Sequence, residues 1–265
     1  FSFQTSEAVK IAFILTFAKH LDSLRKRGWI DRPLHVVLLA VHALVPMGLC
    51  EIQGDTGAAI VFFAMFVVMS LAAGVKLRYF AILGGLVLLA LPLLWQFVME
   101  DYQKLRFIAL FNLDDPNVQM YDGYQQYQGR ISIGSGKLTG QGLFHGSRVA
   151  DGIVPFQQSD YIFSVAGEEL GFVGCSLILL LLFLFMLKAL HVAHSSRDDL
   201  GKYVCFGYFG IIALQSISNI GMCLAVLPAM GVTLPFFSAG GSSAVCMYLG
   251  FGLVQSVYMR RKESD

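Results

Sequence analysis

The sequence predicts an all-α integral membrane protein, a polytopic bundle of about seven transmembrane helices with one long extracytoplasmic loop. Three observations predict it. Of the 265 residues, 56% are hydrophobic and only 14% charged, too apolar a balance for an ordinary soluble domain. Apolar runs approaching the roughly 20 residues needed to cross a bilayer recur along the chain. Lysine and arginine gather in alternate connections, which is the pattern that orients membrane helices.

Spans are expected near 8–21, 34–50, 57–75, 78–98, 171–190, 203–227 and 236–258, the first two short or flecked with polar residues. After the first comes "KHLDSLRKRGWIDR", with Lys19, Arg25, Lys26, Arg27 and Arg32. The connection from Glu51 to Asp55 has no basic residue. Lys76 and Arg78 follow the third span, Lys188, Arg197 and Lys202 mark the fifth connection, and Arg260, Arg261 and Lys262 close the chain. The segment 228–235 has no charge. Basic connections and the C-terminus are therefore expected in the cytoplasm, and the polar segment 100–159 outside. This divides the chain into four spans over 1–99, the outer segment 100–159, and three spans with a short tail over 160–265. Glu7, Asp55 and Asp160 then stand at the outer ends of three different spans.

A net charge of +1 leaves no basic footprint for nucleic acid. The chain opens on Phe1 without a signal-peptide pattern, so a fragment or processed chain is expected, with an N-terminal portion missing. Five scattered cysteines without a C-x-x-C pair read as small core residues rather than disulfides or a metal site. His191 and His194 share a helical face but lack a third ligand.

Five stretches carry polar chemistry into this apolar frame. "FQTSEAVK" puts Glu7 and Lys10 at i, i+3, on one face of a helix. A first-turn acid favoured by the helix dipole explains Glu7, whereas a lysine entering an apolar span needs a partner or a wet cavity. In "EIQGDTGAAIVFF", Gly54 permits a turn and Asp55 or Thr56 can cap the helix that follows. "IGSGKLTGQGLFHG" fails the phosphate-loop pattern, because Gly136-Lys137 is followed by Leu138. Two readings stay open there: a flexible loop, or a glycine backbone that cradles an anion beside Arg130, Lys137 and Arg148. In "FQQSDYIF", Asp160 opens the next helix as a cap or first-turn acid. Glu168 and Glu169 lie too deep for capping and read as buried pairing or cavity lining. "VLPAMGVTLPFFSAGGSS" combines Pro228, Pro235 and Gly240-Gly241 at membrane level, where irregular backbone lines a cavity or is buried in protein.

Together these stretches resemble the SEDS family (shape, elongation, division and sporulation), the group of RodA, FtsW and SpoVE. Its "FQPSE..K" is similar to Phe3–Glu7 with Lys10, and its "QPDxG" to Gln53–Gly57. Its "YQ..QS..AIGSGG..G.G" resembles Tyr124-Gln125, Gln128, Ile133–Gly136, Gly140 and Gly142. Its "P..HTDFIFAVIGEELGFIG" is similar to Pro155–Gly174, and its "NIGM..GLLPVTGIPLPFISYGGSS" to Asn219–Ser243. Departures are Thr5 and Gly54 in place of prolines, Gln158 in place of the usual His, and Ala239 in place of Tyr.

The resemblance implies a ten-helix fold, of which this chain would begin at the fourth helix and would be inactive alone. It implies an inverting peptidoglycan glycosyltransferase that polymerises lipid II at the outer face of the bacterial cytoplasmic membrane. A class B penicillin-binding protein would be its transpeptidase partner. Asp160 matches the family's essential aspartate and is the expected catalytic base. Lys10, Arg130 and Arg148 are expected on the substrate pyrophosphate. Glu7 and Asp55 would orient Lys10 or line the cavity, and Gln125 and Gln128 would contact sugar. A divalent cation, Mg2+ or Mn2+, is compatible with this chemistry, although no ligand set is readable from spacing. The rival readings are a flippase for the lipid-linked precursor and an inert scaffold for the transpeptidase. Elongation, division and sporulation branches share these motifs and are not separated by them.

Overall fold

The computed structural model describes residues 4–121 and 123–261. Among them the regular elements are helical: α1 Thr5–Lys26, α2 Pro33–Ile52, α3 Thr56–Ala73, α4 Leu77–Leu93, α5 Asp101–Phe111, α6 Pro116–Met120, α7 Tyr124–Ser135, α8 Ser147–Ala150, α9 Ile162–His194, α10 Asp199–Cys223 and α11 Gly241–Met259. Six of these (α2, α3, α4 with its extension to Phe97, α9, α10 and α11) are long and apolar enough to cross a membrane. The chain is a multi-pass membrane protein. In α4 none of the described side chains is buried, as suits an apolar helix turned to lipid. Pro92 removes a donor from its last turns, and the helix widens to a π turn over Leu94–Val98.

Two expectations change. The span expected near 8–21 is helical, but α1 carries Glu7, Lys10, Lys19 and Asp22 and is too charged to stand with the other six. Glu7, Lys10 and Asp22 are only 5%, 2% and 2% exposed, so its polar face meets protein rather than lipid. The segment expected as one long loop, 100–159, is folded into α5, α6, α7 and α8.

Packing groups the chain into two compact units. The first comprises Phe1–Leu83, Leu182–Gln215 and Gly240–Asp265, and the second Gly84–Leu181 and Ser216–Ala239. In the first unit, Phe13 and Phe17 of α1 stack on each other and meet Phe62 and Phe66 of α3 edge-on. Tyr208 of α10 is fully buried and donates to the Met247 carbonyl of α11 at 2.7 Å. A side chain at Gly250 would strike the Tyr208 ring at 2.3 Å, so glycine permits that close approach. A cavity of about 870 Å3 in this unit lies between Leu15, Leu200, Leu253 and the basic residues Arg197, Arg260 and Arg261, away from Glu7 and Lys10.

In the second unit α9 starts at Ile162, just after Asp160 as expected and ahead of the apolar run from 171, and is broken at Gly171 (φ 66°, ψ −165°). A break inside a membrane helix frees carbonyls on one side and N–H groups on the other, and lipid cannot satisfy them. The glycine stretch of residues 136–142 does so. The Glu168 and Glu169 carbonyls accept from the Gln141 and Gly142 N–H groups at 2.9 and 3.0 Å. Beyond the break, the Phe172 and Val173 N–H groups donate to the Lys137 and Leu138 carbonyls at 2.9 and 3.1 Å. This splint requires backbone-to-backbone packing. A Cβ on Gly136 would lie 1.9 Å from the Gly167 carbonyl oxygen, and one on Gly140 would lie 2.1 Å from that of Glu169. The glycines that suggested a flexible loop or a phosphate cradle are occupied in holding a broken helix.

Candidate functional site

In the first unit a buried ion pair sits near the start of α1. Lys10 Nζ lies 2.7 Å from Glu7 Oε1, both side chains being nearly inaccessible. The i, i+3 spacing on α1 makes the pair, and burial makes it consequential, since each charge alone would be costly in an apolar interior. Asp55 caps α3 by accepting from the Ala58 N–H at 3.0 Å. Its other oxygen accepts from Ser6 Oγ and Gln4 Nε2, both at 3.1 Å. The Gln4 N–H in turn donates to Ser242 Oγ at the start of α11. Asp55 is therefore a cap and a tie between helices, and its contacts lie on Ser6 and Gln4 rather than on Lys10. Glu7→Gln should strand the Lys10 charge and lower stability by about 3–5 kcal/mol, whereas Glu7→Gln with Lys10→Met should recover most of that loss. Thermal unfolding in detergent measures both.

The second unit holds Asp160, half-buried two residues before α9. Its backbone is fixed at both ends: its N–H donates to the Phe156 carbonyl at 3.1 Å, and its carbonyl accepts from Asn219 Nδ2 at 2.7 Å. The same Asn219 nitrogen donates to the Val232 carbonyl at 2.7 Å. Residues 227–239 thus form a strap across the Asp160 turn. Further ties are Gln126 Nε2 to the Leu227 carbonyl (2.7 Å), Arg106 Nη1 to the Ala229 carbonyl (3.1 Å), and Ser238 Oγ to the Ser159 carbonyl (2.6 Å). The Ala239 N–H closes the strap on the Gln158 carbonyl at 2.8 Å. Gly231 (φ 65°) brings the strap close, with its Cβ position 3.9 Å from Asp160 Oδ2. Burial pushes the Asp160 carboxyl above the ordinary carboxylate value, and the Ser159 hydroxyl and the Arg106 guanidinium pull it back down.

A second network in this unit surrounds Arg148. Its Nε donates to Ser132 Oγ at 3.0 Å, and its Nη2 bonds Gln128 Oε1. Glu168 is fully buried, and its Oε1 accepts from the backbone N–H groups of Arg148 (2.7 Å) and Val149 (3.3 Å). The acid that lay too deep to cap its own helix therefore caps the short helix α8 instead. Its other oxygen is buried with no hydrogen-bond partner among the described residues.

Of the residues singled out from the sequence, Glu7, Lys10 and Asp55 lie in the first unit, and Gln125, Gln128, Arg130, Arg148 and Asp160 in the second. Gln128 and Arg148 meet. Arg130 does not join them: it is exposed, about 200° around α7 from Gln128. Gln125 is half-buried on α7. Sequence reasoning missed Arg106 and gave Asn219 no role. Asn219 could have been flagged as an amide inside an apolar span, which must find partners. Arg106 carried no such signal, because its partner lies 123 positions away.

A family model described as cell cycle protein, covering FtsW, RodA and SpoVE, matches residues 1–263. The peptidoglycan glycosyltransferase MrdB of Escherichia coli K12 is 34% identical over 266 residues, 98% of this chain and 69% of that protein. A probable peptidoglycan glycosyltransferase FtsW of Geobacter sulfurreducens is 33% identical over 270 residues, covering 99% and 69%. Among solved structures, a chain of a peptidoglycan synthase complex, described for its coordination of polymerization and crosslinking, superposes with a TM-score of 0.80 at 28% identity, covering 100% of this chain and 72% of that one. With its helical frame, its polar motifs in register and a family match along nearly its whole length, the chain belongs to the FtsW/RodA/SpoVE cell cycle protein family.

Proposed function

We propose that this protein is a peptidoglycan glycosyltransferase that polymerises lipid II into glycan strands at the outer face of the bacterial cytoplasmic membrane. The observation that carries the reading is Asp160: a half-buried carboxylate in a turn clamped by the 227–239 strap, at the mouth of a membrane helix, in a chain of this family. Both reactants are anchored by polyprenyl chains, so the reaction belongs where a polar group meets apolar helices. Asp160 takes the proton of the acceptor sugar hydroxyl as that oxygen attacks the anomeric carbon of the donor. The bond to undecaprenyl pyrophosphate breaks with inversion, and positive side chains stabilise the charge that develops there.

Arg130, exposed on α7, has its guanidinium free for an anion among the contacts described, as has the exposed Lys137 ammonium. Arg148, whose Nε and one Nη are engaged by Ser132 and Gln128, braces α8 against α7 and offers less. The Lys10–Glu7 pair and Asp55, in the first unit, and Gln125 and Gln128 remain proposals for substrate recognition. Among the described residues no three His, Cys, Asp or Glu side chains gather as a ligand set. A divalent cation, Mg2+ or Mn2+, remains part of the proposal on the chemistry of a pyrophosphate leaving group alone. The partner proposed is a class B penicillin-binding protein, which would crosslink the strands.

Purified full-length protein given lipid II in detergent should produce glycan strands, read by electrophoresis of labelled product. A flippase or a scaffold yields no polymer under those conditions, since there is no membrane to cross and no transferase to act. Absence of polymer from a folded, monodisperse sample rejects the reading.

A further inference from the structure

The strap over Asp160 is tied from outside by a residue with no assigned role. Arg106 projects from α5, lies over the Tyr102 ring with its guanidinium carbon 5.4 Å from the centroid, and donates Nη1 to the Ala229 carbonyl at 3.1 Å. Ala229 is two residues before Gly231, whose Cβ position is 3.9 Å from Asp160 Oδ2. Three residues beyond Ala229, the Val232 carbonyl is held by Asn219, which also holds the Asp160 carbonyl. Arg106 and Asp160 are thus fastened to the same four-residue stretch from two sides. Among the described residues Arg106 is not in an ion pair with any carboxylate, so its charge is not already neutralised by a nearer acid.

We infer that Arg106 is a positioning residue for the Asp160 base: it fixes the 229–232 stretch against which the carboxylate sits and holds a positive charge beside it. This rests on Asp160 being the base. A base buried by its strap is drawn toward the neutral acid, which cannot accept the acceptor hydroxyl's proton. Arg106 opposes that tendency from the exposed side of the strap, where it adds little burial of its own. The other groups around the carboxyl do not substitute for it. Ser159 supplies a neutral hydrogen bond, burial pushes the Tyr161 hydroxyl up, and Cys223 brings only a buried thiol whose sulfur lies 3.7 Å from the Asp160 carbonyl.

The test is the pH dependence of kcat/KM for lipid II polymerisation by full-length protein, comparing the parent with Arg106→Lys and Arg106→Gln. The acid limb of this profile reports the ionisation of the free enzyme's base. Because Arg106 lowers the Asp160 value, its removal should move the limb of Arg106→Gln to higher pH. The deficit of that variant should be largest on the limb and shrink on the plateau, with Arg106→Lys staying near the parent. A second measurement needs no variant: raised salt screens an exposed guanidinium, so the parent's limb should also move to higher pH. A uniform deficit with an unmoved limb and a raised KM would mean that Arg106 contacts the substrate pyrophosphate. A uniform deficit with an unmoved limb and a lowered Tm would mean that it only holds the fold. Either result, or a parent limb indifferent to salt, overturns the inference while leaving the glycosyltransferase reading intact. A parent that makes no polymer overturns both.

Discussion

Asp160→Asn lowers lipid II polymerisation by about 10²–10⁴-fold, the usual contribution of a positioned base, and leaves thermal unfolding close to the parent. The structure separates the two effects because the residue's structural work is done by its backbone. The N–H bonds Phe156 and the carbonyl bonds Asn219, and both survive the substitution. Among the described residues no backbone N–H is bonded to the Asp160 carboxylate, so the capping role its position suggested gives Asn nothing to disturb. Relieving a half-buried carboxylate of its charge also carries no desolvation penalty. Strand synthesis by Asp160→Asn or Asp160→Ala at near-parental rate, in protein of normal stability, would remove this residue from the chemistry.

Gly171→Ala has the largest expected effect on folding. The residue sits at φ 66°, ψ −165°, a region open in practice only to glycine. An added methyl would stand 2.3 Å from the Gly140 nitrogen and 2.7 Å from the Leu138 carbonyl carbon and oxygen. Backbone strain of about 1–3 kcal/mol combines with about 1–3 kcal/mol of overpacking, so a loss of roughly 2–6 kcal/mol is expected. That is a large share of the 5–15 kcal/mol typical of a folded domain, roughly speaking. Unfolding temperature in detergent and proteolysis within residues 137–142 should both report it. Gly252→Ala, with nothing within 4 Å of its Cβ position, is the control and should behave as the parent. Equal stability of the two variants would show that the loop does not brace the helix.

The bundle was legible because spanning helices advertise themselves by length and apolar composition. The exception is instructive. α1 was weak as a span because Glu7, Lys10 and Asp22 belong to a helix walled by protein, and hydropathy registers composition without registering what surrounds it. Local chemistry was legible too: Glu7 and Lys10 at i, i+3 pair as spacing allows, and Asp55 caps the helix it precedes. What sequence could not supply was contact at long range. Glu168 caps a helix twenty positions earlier, and Arg106 and Asn219 reach the strap only after the chain has folded. The glycine motif was misjudged for the same reason, since its need for small residues comes from residues 167–171, which no local pattern reveals.

The splint also has a consequence for biogenesis. Residues 137–142 are synthesised before residue 171, so the loop that completes the broken helix leaves the ribosome ahead of the helix it completes. The length 172–194 is a long apolar run that a translocon can accept on hydropathy alone, but the turns 162–170 carry two buried acids, and Glu168 gains its partners from Arg148 and Val149, made earlier in the chain. The two halves of this helix thus differ in what they need: 172–194 is apolar throughout, whereas 162–170 needs the earlier segment to be in place. Lengthening or shortening 137–142 by one residue would shift the docking register and leave those turns without a place to settle.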